Sequence, residues 1–458
     1  MNNEDMSNKL GEIMGLSQEQ LRHKLIEAMG RIDFLMTHDM QLQMNNVRYG
    51  TMIIARLIET KEIKDYNVCF FNIRNMSGIN AIAGRDAGTA VMKDFVGGIE
   101  FILSGRETIF RMGGDNFTVI IKKEKMGQFL SMIKGTKIKV PGDNDESVIV
   151  SAVAGIYECD DKTTTVDDAM DNSLDTMNIA KFSRHVSYLY FNKEISSIIM
   201  NIRRVENVFP EALKNGEFEA YYQPKVDIEN NKLTGAEALC RWVRPDGVLP
   251  PGAFISVLER SRRICKLDMY MLEKVCRDLR KWLDEGLPVV PVSTNFSRMN
   301  LKTPDIVSSI ISTIDRYQIP HNLISIEVTE TKEDEEFEKL KDFVEELLSH
   351  GIKVSVDDFG TGYSSMTTIR DIHFSEMKID RSFFLYNEET EDRNLVMVRH
   401  VIKMAEELSM SCIAEGAETI EHIELLKSMG CRFVQGYFYD RPLPDYEFKK
   451  RMTEPFYK

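Results

Sequence analysis

Residues 323–360 read LISIEVTETKEDEEFEKLKDFVEELLSHGIKVSVDDFG. A short β-branched run reaches the carboxylate Glu327, a charged stretch with helical apolar spacing follows, and a second β-branched run reaches Asp357 and Asp358. The same strand-then-helix rhythm extends in both directions. Strands are expected near EAYYQPKVD (219–227), LTGAEALCRW (233–242), VVPVSTNFS (289–297), LISIEVTE (323–330), IKVSVDDFG (352–360), EMKID (376–380), SCIAEG (411–416) and RFVQGYF (432–438). Most are separated by helical stretches such as EEFEKLKDFVEELLSHG and VMVRHVIKMAEELSM. Eight such strands are the count of a (β/α)8 barrel, whose active site lies at the C-terminal strand ends.

Those ends carry Glu237, Asn295, Glu327, Asp357, Asp358, Lys378, Glu415 and Gln435. A single carboxylate after a strand is commonly the N-cap of the next helix. A set of them, each on its own strand, is not explained that way, and buried without partners each would be costly. Glu237, Asn295, Glu327 and Asp357 are hard oxygen donors that suit Mg2+ or Mn2+ better than zinc. Asp358 and Glu415 can complete the shell of a second ion, with Asp357 bridging. Two ions about 3.5–4 Å apart are a recurring device for in-line attack on a phosphodiester. Lys378 is placed to orient or deprotonate a water, Arg241 to grip a phosphate oxygen, and DFGTGYSS (358–365) to move over a substrate.

The bulk numbers restrict the rest. A chain of 458 residues with 43% apolar and 28% charged residues has material for two cores. A net charge of -14 argues against a nucleic-acid polymer as partner, since binding one means neutralising its phosphates with a basic surface. A small phosphorylated substrate stays open, because bound cations supply local positive charge. The seven cysteines are scattered with no CxxC pair, and the eight histidines show no ligand spacing. Free thiols, no apolar run of membrane-span length and a polar start, MNNEDMSNKLGE, lead to the expectation of a cytoplasmic protein with no membrane segment.

Upstream, Ser17 and Gln20 form a capping box for a helix whose Leu21, Leu25, Met29, Ile32 and Leu35 or Met36 share one stripe. The stripe suits packing on its own domain or a short dimerising helix. Residues 38–192 alternate strands and helices as a compact α/β domain, with Gly113-Gly114-Asp115-Asn116 as a hairpin turn. A helical bridge over 193–216 leads to the barrel, 217–458.

With these residues in view, the region from about 205 to 458 resembles the EAL domain, the cyclic di-GMP phosphodiesterase family. Its motifs stand as Glu237-Ala238-Leu239, YYQP at 221–224, DDFGTGYSS at 357–365, KID at 378–380, AEG at 414–416 and QGY at 435–437. The resemblance implies a TIM-like barrel that hydrolyses cyclic di-GMP to linear pGpG with two Mg2+ or Mn2+ ions. It implies Glu237, Asn295, Glu327, Asp357, Asp358 and Glu415 as metal ligands, and Lys378, Glu415, Asp358 and Glu418 as catalytic or supporting groups. Gln223, Arg241, Asp380 and Gln435 fall at substrate-binding positions, and Glu330 at that of the loop anchor. Cys240 replaces a usual Leu, and SMTTIRDIHFSEM departs from the common pattern in a segment that often makes the dimer contact. A homodimer through this domain is still the expectation, with a regulatory protein partner open.

The preceding domain resembles the GGDEF diguanylate cyclase, a nucleotidyl-cyclase-like α/β sandwich, with altered working positions. Asn116 stands where a Glu is expected, Asn72 where a metal-binding Asp is needed, Ser77 for Lys and Thr89 for Asp. Asn80 is kept, while Ser104 and Glu107 occupy the inhibitory RxxD positions. The resemblance therefore implies an inactive cyclase fold acting as a regulatory or dimerisation scaffold, with GTP sensing as the alternative role. With about 37 residues ahead of it, no separate sensor domain is expected.

Overall fold

The computed structural model describes residues 17–141, 147–182, 186–329, 334–359, 366–383 and 391–457. It divides into two compact units, Met1–Asn201 and Ile202–Lys458.

In the first unit a helix, α1 (Gln18–Thr37), opens with the expected box: Ser17 Oγ accepts from Gln20 N–H at 3.3 Å and Gln20 Oε1 from Ser17 N–H at 2.9 Å. Its apolar stripe is not packed away, and Leu25, Met29 and Ile32 are each more than half exposed. Beyond it, α2 (Val47–Glu59), α3 (Arg85–Ile102) and α4 (Val166–Phe182) pack with a five-stranded sheet. The strands β1 (Tyr66–Ile73), β2 (Thr108–Gly113), β3 (Asn116–Lys122), β4 (Ala152–Glu158) and β5 (Tyr188–Tyr190) stand in the order β2-β3-β1-β4-β5. Every residue of β1 is buried, as befits a central strand covered on both faces. Helix α4 presses so closely on β4 that a Cβ on Gly155 would lie 2.1 Å from Met177 N and 2.2 Å from Ser173 O.

A helix, α5 (Lys193–Lys214), runs across the division between the units, and its Val205, Phe209 and Ala212 belong to the core of the second. There β6 (Phe218–Asp227), β7 (Lys232–Arg244), β8 (Val292–Phe296), β9 (Ile324–Thr329), β10 (Lys353–Phe359), β11 (Glu376–Ile379), β12 (Ser411–Glu415) and β13 (Phe433–Gln435) close a barrel in chain order. Neighbours from β7 to β13 run parallel, and β13 returns to β6. One feature departs from a regular (β/α)8 barrel: β6 is antiparallel to both β7 and β13. The reason is the connection. Only residues 228–231 join β6 to β7, enough for a hairpin and too few for a helical crossover.

Because β6 is reversed, its middle residues rather than its C-terminus meet the active end of the barrel. The core of this unit is aliphatic and aromatic, with Phe218 at 5.0 Å from Trp242 and 5.7 Å from Phe254, ring to ring. Helix α6 (Ile264–Asp284) buries Ile264, Leu267, Met271, Leu272, Val275 and Leu279 on one face, and Asp268 lies among them.

Candidate active site

Strand register, antiparallel between β6 and β7 and parallel from β7 to β13, brings the polar residues together at one end of the barrel. Gln223 is opposite Glu237, Asn295 is opposite Glu327, Thr329 is opposite Asp357, and Glu415 is opposite Gln435. At the centre lies the Lys378 ammonium, 1% exposed. It donates hydrogen bonds to Glu327 Oε2 and, at 3.3 Å, to Glu237 Oε2. Asp357 Oδ1 lies at 3.1 Å and Glu415 Oε1 at 2.6 Å from the same nitrogen. Amides close the ring: Asn295 Nδ2 donates to Glu237 Oε1 at 2.6 Å, and Gln435 Nε2 donates to Glu237 Oε2 at 2.6 Å and Gln223 Oε1 at 3.1 Å.

The electrostatics are lopsided. Glu237, Glu327, Asp357, Glu415 and Glu376 set five carboxylates against the ammonium groups of Lys225 and Lys378. Burial, reinforced by the neighbouring Glu327 charge, raises the Glu237 carboxyl. Burial, with Asp357, Glu237 and Glu327 around it, pushes Glu415 up to about 8. Glu327 goes the other way, since Lys225 and Lys378 overcome its desolvation and hold it well below the usual carboxylate range. Glu237, Glu327, Glu415 and Asp357 together hold Lys378 well above the ordinary lysine value against the pull of its burial.

Two cavities flank this cluster. A larger one of about 430 Å³ is bounded by Glu237, Leu239, Ile255, Asp268, Asn295 and Phe296. A smaller one of about 340 Å³ is bounded by Gln223, Lys378, Arg381, Glu418, Gln435 and Tyr437. Glu237 and Asp357 belong to both walls.

The structure thus brings together Gln223, Glu237, Asn295, Glu327, Asp357, Lys378, Glu415 and Gln435, and Glu418 lines the smaller cavity while pairing with Arg381 at 3.3 Å. Arg241 stands apart. Its guanidinium lies 5.7 Å from the Tyr221 ring centroid and donates to Cys240 O, and it lines neither cavity. Asp380 turns to its own backbone, accepting from Ser382 N–H at 2.9 Å, and also lines neither. Glu330, the Asp358 side chain and the loop residues 360–365 lie outside the described residues.

Sequence reading passed over three groups. Lys225, 6% exposed, bridges Glu327 Oε1 at 2.8 Å and Glu376 Oε1 at 2.9 Å. Ser355 Oγ also donates to Glu376 Oε1, at 3.0 Å. Asp268, on the wall of the larger cavity, accepts from Ser297 N–H at 2.9 Å and Asn300 Nδ2 at 2.6 Å through one oxygen. Burial pushes its carboxyl up to about 7.

In the first unit, the Gly113-Gly114 turn needs glycine, with φ of 133° and 58°. Arg111 clamps it by donating twice to Gly114 O, at 2.9 and 2.8 Å, while reaching Asp39. Beside it Asn72 Nδ2 donates to Asn116 Oδ1 at 3.0 Å, and Asn116 Nδ2 in turn donates to Gly113 O at 3.2 Å. Glu107 accepts from Ser104 N–H, Lys122 N–H and Lys125, a closed internal network.

The EAL domain model matches residues 206–442, and the model described as "Diguanylate cyclase, GGDEF domain" matches residues 36–185. This chain belongs to the EAL family, with a GGDEF domain ahead of the EAL domain. It is 29% identical over 439 residues to the signaling protein YkoW of Bacillus subtilis, covering 94% of this chain and 55% of that protein. Over 237 residues, 52% of this chain and 60% of the relative, it is 33% identical to the cyclic di-GMP phosphodiesterase RocR of Pseudomonas aeruginosa. The chain thus spans little more than half the length of these relatives. A solved structure described as "PaMucR Phosphodiesterase, c-di-GMP complex" superposes with a TM-score of 0.50 at 31% identity, covering 54% of this chain and 99% of that one. No described helix is long and apolar enough to cross a membrane.

Proposed function

We propose that the barrel hydrolyses cyclic di-GMP to linear pGpG. The observation that carries this reading is the convergence of four carboxylates on the Lys378 ammonium, between two cavities. A cyclic dinucleotide has a compact charged ring with a base on each side, and that outline matches a polar centre flanked by two recesses. The relatives' names, and the bound nucleotide of the similar solved structure, support the same substrate.

The donor set fits Mg2+ or Mn2+. As they stand, no three His, Cys, Asp or Glu side chains among the described residues are arranged to hold an ion, because Lys378 lies between them. Their chemistry nonetheless calls for more positive charge than two lysines supply: the carboxyls of Glu237 and Glu415 are both raised. Glu237, Asn295, Glu327, Asp357 and Glu415 would hold the ions, with Asp358 assigned by resemblance and two ions per site as the reading. Bound there, the metal supplies Lewis-acid polarisation of the phosphodiester and a more acidic water.

The chain's own groups do the remaining work. Lys378, a fixed cation, orients a water or a phosphate oxygen by donating hydrogen bonds. Asn295 and Gln435 fix the two oxygens of Glu237, and Gln223 and Gln435 present a further polar edge to the smaller cavity. In the first unit, the Asn72–Asn116 pair leaves two neutral amides where a triphosphate-bound metal needs carboxylates, so this domain is read as a catalytically inactive scaffold. Self-association through the barrel and a regulatory protein partner belong to this reading on family resemblance alone.

The test is to incubate the purified chain with cyclic di-GMP and Mg2+, then Mn2+, and follow pGpG by chromatography beside Glu237→Ala. Product from the parent chain and at least a ~100-fold loss in the variant is expected, the scale of losing a group central to transition-state charge stabilisation. Binding without product would replace the enzyme with a receptor, and absence of binding would leave a scaffold.

A further inference from the structure

We infer that Lys225 is a positioning residue that sets Glu327 as a ligand for the divalent cation, an assignment that rests on the metal-dependent reading above. The side chain is built into the barrel rather than left there by default. Lys225 lies two residues after Gln223, so strand alternation puts both side chains on the interior face, and the β6–β7 register shifts only after Lys225, with Thr234 of β7 as the extra residue. Directly across the ladder stands Gly235, where a Cβ would lie 3.7 Å from Lys225 Cδ and 3.8 Å from its Cβ, in contact with the stem.

The ammonium then makes two directed bonds, to Glu327 Oε1 at 2.8 Å and to Glu376 Oε1 at 2.9 Å. Glu376 is itself held by Ser355 Oγ. Among the described residues, Glu327 is the one carboxylate of the cluster that meets both lysines, Lys225 on Oε1 and Lys378 on Oε2. Its plane is therefore fixed from the side away from the cavities, and one oxygen is reserved for the centre. Carboxylate ligands held by outer hydrogen bonds bind metal more tightly than free ones, because the orienting entropy is already spent.

Charge alone predicts the opposite sign, which makes the inference decidable. Removing Lys225 leaves Glu376 and Glu327 less compensated, so a purely electrostatic role means tighter cation binding in its absence. A purely structural role means lower thermal stability with cation affinity unchanged. Positioning means weaker binding in a folded protein.

The measurement is the Mn2+ dissociation constant of the full chain, read from free Mn2+ by electron paramagnetic resonance, alongside the melting temperature. Lys225→Met is expected to weaken Mn2+ binding about tenfold, on the scale of outer-sphere ligand substitutions. Lys225→Gln, equally uncharged but still a donor, is expected to recover part of that loss and, should the Met variant not fold, to show a several-fold weakening by itself. Unchanged or tighter Mn2+ binding in the folded variant overturns the assignment while leaving the enzymatic reading intact. A parent chain that binds no Mn2+ overturns both.

Discussion

Replacing Lys378 with methionine is expected to destabilise the metal-free barrel by about 3–5 kcal/mol, the usual cost of removing one partner from a buried ion pair. The side chain is enclosed, and four carboxylates face its nitrogen within 3.3 Å. Methionine fills the same volume and leaves those charges facing each other. The variant should also lose roughly 10²–10³-fold in hydrolysis, because the fixed donor for water or phosphate is gone. Cation addition separates the two effects. Mn2+ should restore stability more in the variant than in the parent, since the ion replaces a missing charge, yet activity should stay low. Both tryptophans, Trp242 and Trp282, are buried in the barrel unit, so their fluorescence in urea follows this unit alone. Equal metal-free stability of the two chains would show that Lys378 does not neutralise the cluster.

Much of this site was legible because the barrel repeats one local event. Each apolar strand ends in a polar residue, and parallel register puts neighbouring strand ends side by side, as with Asn295 and Glu327. The reversed β6 was also within reach, since residues 228–231 leave no room for a crossover helix. Other groups were hidden for reasons of direction rather than of pattern. Lys225 in YYQPKVD lies two residues after Gln223, and strand alternation carries it to the barrel interior once Gln223 is placed there. The available signal was a charged residue in a strand whose residues 222–227 are all buried. Arg241 has a strand position that suits a phosphate contact, and in this structure its guanidinium lies by the Tyr221 ring and Cys240 O. Asp268 sat in plain view on the apolar stripe of α6, between Leu267 and Met271, and a carboxylate on a buried stripe is itself a sign of a special environment.

That buried carboxylate should govern how the barrel's stability changes with pH. Asp268 is 6% exposed, and burial pushes its carboxyl from the ordinary 3.8 to about 7 against the pull of the Ser297 and Asn300 donors. A carboxyl raised by folding stabilises the native state fully below its unfolded value, and that stability is lost as pH rises through the folded value. Between about pH 4 and 7 the native state holds a proton that the unfolded chain has released, so stability falls with pH there. Asp268→Asn keeps an acceptor oxygen for both donors and removes the titration. The variant should therefore gain on the parent by roughly 2–4 kcal/mol between about pH 4 and pH 8, since holding a proton tenfold more tightly is worth about 1.4 kcal/mol. Urea unfolding at four pH values spanning that range, again read from the two tryptophans, gives the difference directly. A constant gap between parent and variant across it would mean that Asp268 stays ionised in the fold. Because Asp268 fastens Ser297, two residues after Asn295, an Asn variant that also keeps its hydrolysis would show that the hydrogen bonds, and not the charge, hold this wall of the larger cavity in place.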